Sequence, residues 1–128
     1  MLTIYTDGGS RGNPGKSAFS FVVVKDVKII SEHAEFLGIA TNNEAEYNAI
    51  IAALTKVKEK SLHIISDSEL VICQLRGEYK TKQPHLQKLK QKVLDIIGDR
   101  KVTFTHSPRE NKFISHADWL LNEELDRY

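Results

Sequence analysis

Apolar positions along the first forty residues fall in runs with the short period of β-strands. Leu2 to Asp7 is short and rich in β-formers, Ala18 to Val24 is a nearly continuous apolar run, and Ile29 to Ile39 is a looser strand. The polar stretch Lys25-Asp26-Val27-Lys28 reads as a turn, so the three strands predict an antiparallel meander. The period then lengthens. From Asn43 to Lys58, apolar residues stand at Ala45, Ala49, Ile50, Ala53, Leu54 and Val57, which is a helical stripe. Leu62 to Ser66 predicts a strand, and Asp67 begins a short helix to about Leu75. Leu86 to Ile97 predicts a second amphipathic helix, with Gly98 as its C-terminal cap. Lys101 to His106 predicts a last strand and Ser115 to about Asp126 a last helix. The order βββαβααβα implies an α/β fold, a mixed sheet with helices covering its faces.

Length and composition narrow the classes. A chain of 128 residues has room for one domain and one core, read here as residues 1–128. A net charge of +1 excludes a generally basic nucleic-acid binder but leaves room for a locally basic one. Arg76 to Lys92 is such a place, with six cations (Arg76, Lys80, Lys82, Lys88, Lys90, Lys92) against one acid, Glu78. The single cysteine, Cys73, forbids an intramolecular disulfide and a cysteine-rich zinc site. Set in Leu70-Val71-Ile72-Cys73, it reads as a buried apolar residue. No stretch approaches the roughly 18 apolar residues of a membrane span. The expectation is a cytoplasmic protein with no membrane contact.

Four acids stand at junctions of these elements. Asp7 ends the first strand, before Gly8-Gly9. Glu46 lies in the first turn of the long helix. Asp67 ends the strand Leu62 to Ser66, and Asp118 lies in the first turn of the last helix. Ligands of α/β sheets bind at the carboxyl ends of strands. If the first, fourth and fifth strands lie side by side, Asp7 and Asp67 become neighbours there. Crowded carboxylates resist ionisation. Hard cations such as Mg²⁺ relieve that repulsion and share their shell with substrate phosphate. Two such ions about 3.5–4 Å apart can activate water and stabilise a leaving oxygen in phosphodiester cleavage.

Each acid also has a local reading. Asp67 fits a helix N-cap, and Ser115-His116-Ala117-Asp118 fits a capping box. Thr41-Asn42-Asn43-Glu44 is also a capping box, which assigns Glu44 to structure and leaves Glu46 for chemistry. Asp7 precedes no helix that it could cap, although a turn role remains open. Two other features point elsewhere. Gly9 to Ser17 is like a phosphate-binding P-loop, but a β-rich run follows it where that motif needs a helix N-terminus. Trp119 reads as a core residue of a helix turned toward the sheet.

These residues together resemble a known family, type I ribonuclease H. Tyr5-Thr6-Asp7-Gly8-Gly9-Ser10-Arg11-Gly12-Asn13-Pro14-Gly15 is similar to its opening motif. Thr41-Asn42-Asn43-Glu44-Ala45-Glu46 is similar to the second motif, and Ser66-Asp67-Ser68-Glu69-Leu70-Val71 to the third. Pro108-Arg109-Glu110-Asn111, Ala117-Asp118 and Asn122-Glu123 are similar to the fourth. The motifs stand in the family's order and span nearly the whole chain.

The resemblance implies a five-stranded mixed sheet with helices on both faces. It implies two Mg²⁺ ions, replaceable by Mn²⁺, held by Asp7, Glu46, Asp67 and Asp118 with Asp7 bridging. It implies endonucleolytic hydrolysis of the RNA strand of an RNA–DNA hybrid, giving 5′-phosphate and 3′-hydroxyl ends. Substrate contacts are expected from Gly8, Gly9, Asn13, Thr41, Asn42 and Asn43, with Glu46 also touching a 2′-hydroxyl. No protein partner is implied, and a monomer is the expectation. The alternatives are a catalytically silent binder of hybrid or double-stranded RNA, the nuclease module of a reverse transcriptase, and a P-loop phosphotransferase.

The chain departs from the best-known bacterial members in three respects. The basic protrusion after Cys73 is missing, as in the shorter archaeal and bacterial forms, and the cations from Arg76 to Lys92 are the expected replacement. Glu69 stands where many members carry Gln. The mobile catalytic-loop histidine has no direct match, which leaves His106 and His116 as auxiliary candidates, and about three residues (Phe113-Ile114-Ser115) are added before Asp118.

Overall fold

A computed structural model describes residues 1–128. Its elements are β1 (Leu2–Arg11), β2 (Gly15–Lys25), β3 (Lys28–Ala40), α1 (Asn42–Lys56), β4 (Ser61–Ser66), α2 (Glu69–Leu75), α3 (Pro84–Ile97), β5 (Lys101–His106) and α4 (Lys112–Leu125). The five strands form one mixed sheet in the order β3-β2-β1-β4-β5. β1, β2 and β3 pair antiparallel, as the expected meander, while β4 and β5 add on in parallel.

Side chains of a strand alternate between faces, so the sheet has two apolar surfaces to cover. On one face Ile4, Phe21, Val23, Leu62 and Ile64 pack against α1, α2 and α3 through Tyr47, Ile50, Leu54, Val71, Leu75, Leu86 and Val93. On the other face α4 packs alone. Ala117 meets Val22 and Val24, and Leu121 and Leu125 meet Ala18. α1 is buried well beyond one stripe because it lies between the sheet and α3.

Several boundaries differ from the sequence reading. β1 does not end at Asp7 but runs on to Arg11, because β2 continues to pair with it through Arg11↔Lys16. α2 starts at Glu69 with Ser68 as its N-cap, so Asp67 is not a cap. α4 starts at Lys112, three residues earlier than expected, with Asn111 Oδ1 accepting from the N–H groups of Phe113 and Ile114. The residues read as an addition are therefore the helix's first turn, and Asp118 lies beyond that turn rather than in a capping box. Trp119 is 55% exposed, not core, because Ala117, Leu121 and Leu125 form the packed stripe. Cys73 is only half-buried. The Thr41 to Glu44 capping box is present as expected.

Candidate active site

The parallel pairing of β1 with β4 stops at Thr6↔Ser66. Asp7 and Asp67 therefore emerge from adjacent strands at the same level. β1 continues past this point, and its next residue is where α1 approaches. A Cβ on Gly8 would stand 2.3 Å from the Ala45 carbonyl carbon and 2.4 Å from the Glu46 nitrogen. Only glycine admits the helix so close, and this approach carries Glu46 to the strand ends. The Gly8 N–H donates to Asp7 Oδ1 and to Glu46 Oε1, each at 3.0 Å. Buried Ser66 donates its hydroxyl to Glu46 Oε2 at 3.2 Å, so both oxygens of Glu46 are held.

Asp7, Glu46 and Asp67 each present a carboxylate oxygen within 4.8 Å of the others. Asp118 lies outside that triad but lines the same open cleft, of about 370 Å³. It is delivered by α4, whose Ala117 carbonyl accepts from Ser20 Oγ at 2.5 Å. Burial is the main reason that the Asp7 carboxyl is raised to about 7, and the charges of Asp67 and Asp118 add to it. Burial also lifts Glu46 well above the usual carboxylate range, with Asp7 and Asp67 contributing. A set of hard oxygen donors that resist ionisation together is suited to divalent cations such as Mg²⁺.

Gly8, Gly9, Asn42 and Asn43 line the cleft beside the acids. Asn13 and Thr41 do not line it, but they are tied to it. Asn13 Oδ1 accepts from the Asn42 N–H at 2.9 Å, Asn42 Oδ1 accepts from the Ser10 N–H at 2.8 Å, and Thr41 caps α1. Neither histidine joins the site. His116 turns to β3 and pairs with Glu32 at 2.5 Å, and His106 is exposed at the end of β5 and does not line the cleft. The sequence reading missed Arg109, which lines the cleft and places Nε 3.2 Å from Asp67 Oδ2. It also missed Ser66. Both stand inside quoted motifs, yet nothing in the pattern distinguishes an arginine aimed at an acid from one aimed at solvent.

The family model described as RNase H matches residues 1–124. The chain belongs to the ribonuclease H family. Among curated relatives of the family, ribonuclease HI of Halobacterium salinarum is 39% identical over 127 residues, which is 95% of this chain. The chain spans only 63% of that relative's length. The solved ribonuclease H1 of the same archaeon superposes with a TM-score of 0.93 at 37% identity, covering 99% of this chain and 98% of that one. LC11 ribonuclease H1, solved in complex with an RNA/DNA hybrid, gives a TM-score of 0.92 at 36% identity, with the same coverage. The ribonuclease H fold therefore extends over the whole described chain, short connection after Cys73 included.

Proposed function

We propose that this protein is a metal-dependent endonuclease that hydrolyses the RNA strand of RNA–DNA hybrids, leaving 5′-phosphate and 3′-hydroxyl ends. The observation that carries this reading is the convergence of Asp7, Glu46 and Asp67 within 4.8 Å, with Asp118 across the same cleft. The relative solved with an RNA/DNA hybrid supports the substrate class.

In this reading Asp7, Glu46, Asp67 and Asp118 hold two Mg²⁺ ions, with Mn²⁺ as a substitute. The bound ions would supply an activated water and neutralise charge on the leaving oxygen. The chain's own residues position and screen. Gly8 and Ser66 orient Glu46, so its carboxylate is fixed before substrate arrives. Asn13 is linked to Asn42 through the Asn42 N–H, and together with Asn43, which lines the cleft, they offer amides that can hydrogen-bond sugars and base edges without demanding a sequence. Arg109 is the cation nearest the acids and offsets their charge where a phosphate must enter. The exposed lysines between Arg76 and Lys92 grip the hybrid backbone.

The test is a labelled RNA–DNA hybrid incubated with and without Mg²⁺ or Mn²⁺. Metal-dependent cleavage of the RNA strand alone is expected, with end analysis reporting the polarity. Binding without cleavage would instead identify a silent hybrid binder.

A further inference from the structure

The cleft does not stop at the acids. Strand alternation puts Asp7, Gly9 and Arg11 of β1 on one face, toward α4. A Cβ on Gly9 would come within 3.1 Å of Leu121 Cδ2, so this position forms a floor rather than a barrier. The cleft lining continues over Gly9 to Arg11 and, on the α4 side, to Asn122 and Leu125. Four residues of strand place Arg11 about 13 Å from Asp7, at about 3.3 Å per residue. Arg11 and Arg109 are the only cations that line this acidic cleft. Arg109 is engaged with the acid cluster itself.

The guanidinium of Arg11 is held in an unusual way. All its protein contacts fall on one nitrogen, Nη2. Nη2 lies 2.7 Å from Asp126 Oδ1, 3.3 Å from Asn122 Oδ1 and 3.4 Å from the Asn122 carbonyl oxygen. Nε and Nη1 have no protein partner, and the side chain is 47% exposed. Asp126 and Asn122 therefore fix the rotamer while leaving the Nε–H and Nη1–H donors free, each able to make a one-point charge-assisted hydrogen bond to a phosphate oxygen.

We propose that Arg11 is a phosphate contact for the bound hybrid, a few nucleotides from the phosphate that is cut, and that Asp126 and Asn122 hold it ready for that contact. The proposal rests on the nuclease reading above. It assigns one cation to one backbone position on the far side of the cleft from the lysines of α3. That contact lets an anionic cleft retain a polyanion along its length, since backbone contacts dominate such affinity.

The experiment measures Mg²⁺-dependent cleavage kinetics on hybrids that carry one neutral methylphosphonate at successive positions of either strand. For the wild type, one position a few nucleotides from the cut should raise KM. Arg11→Gln should raise KM several-fold on the unmodified hybrid, keep kcat, lower the slope of log KM against log salt by about one, and abolish the penalty at that position. Asp126→Asn should raise KM by less than Arg11→Gln does, because it loosens the held rotamer but leaves the cation in the cleft. An unchanged salt slope and an intact penalty in Arg11→Gln would overturn the proposal. So would a KM for Asp126→Asn raised as much as for Arg11→Gln, since that pattern belongs to a clasp holding the end of α4. Failure of the wild type to cut any hybrid would reject the nuclease reading itself, a result distinguishable from both.

Discussion

Gly8 and Glu46 stand 38 positions apart in the chain, yet the Gly8 N–H donates to Glu46 Oε1 at 3.0 Å. The same N–H serves Asp7 Oδ1 at 3.0 Å. One backbone donor thus joins two acids from different elements, and it can do so only because no side chain keeps α1 away from β1. Gly8→Ala would place a carbon 2.3 Å from backbone atoms that cannot swing aside. Forcing the helix outward should cost about 1–3 kcal/mol or more in a packed core, as overpacking does. Urea denaturation should register this loss, and a parallel isothermal titration with Mn²⁺ should show weaker binding. Wild-type stability and Mn²⁺ affinity in Gly8→Ala would contradict this account of the site.

Asp7 makes the metal-free protein sensitive to pH. Its carboxyl is raised to about 7 in the folded state, mainly by burial, against 3.8 for the free group. The folded protein therefore binds a proton that the unfolded chain releases between those values. Stability from this group is fully present below about pH 4 and is lost as pH rises toward 7. Asp7→Asn should remove that loss. Without metal at pH 8, it should raise the melting temperature, with each unit of upward shift worth about 1.4 kcal/mol. Its hybrid cleavage should fall to background. A clear drop in melting temperature would show that Asp7 is needed for the fold and not for chemistry.

Lys80 and Lys82 are exposed in the connection between α2 and α3, whereas Arg76 is partly neutralised by Glu78 at 2.9 Å. If the lysines hold phosphates, reversing both to Glu should raise KM and lower the salt slope by about two. Steady-state cleavage between 50 and 200 mM salt, on the order of the range where such contacts are lost, measures this. An unchanged slope would make that segment an ordinary solvated surface.

Arg100 ties two helix ends to the sheet. Its Nη1 donates to the Val57 carbonyl at 2.9 Å, and its Nη2 to Leu54 at 3.0 Å and Ile96 at 3.1 Å. These are carbonyls at the C-terminal ends of α1 and α3, where a cation is favoured. Arg100→Ala should destabilise by about 2–3 kcal/mol, the scale of hydrogen bonds to a charged group whose partners are left unpaired. Arg100→Lys should recover less than half, because an ammonium cannot reproduce the fork. Chemical denaturation of both variants, alongside cleavage by the folded fraction, checks that the effect is on stability.

Sequence and structure divide the work in a way that has a physical cause. Periodicity is local, so the nearly continuous apolar run of β2, the looser strand β3, the stripe of α1, the Thr41–Glu44 capping box and the Gly98 cap could all be read from neighbours along the chain. The order of elements followed from the same information, but Asp7 lies inside β1 and Asp118 in the middle of α4, away from the element ends where the pattern placed them. Boundaries were harder. β1 extends to Arg11 because β2 pairs with it, and α4 begins at Lys112 because the side chain of Asn111, not Ser115, meets the free N–H groups. Exposure of Trp119 depended on which face of α4 the sheet accepts.

The site itself required long-range packing. Local pattern raised each acid as a candidate but could equally have assigned Asp67 and Asp118 to caps. The register Thr6↔Ser66, the close approach over Gly8 and the anchoring of Ala117 by Ser20 bring the four carboxylates to one cleft. The same packing carries His116 away to Glu32 and turns Arg109 onto Asp67. Side-chain direction at a helix surface or loop is set by what stands opposite. The chain alone specified which residues are chemically able to form the site. Only the tertiary structure decided which of them meet, because distance between elements is a property of the packed core and not of sequence spacing.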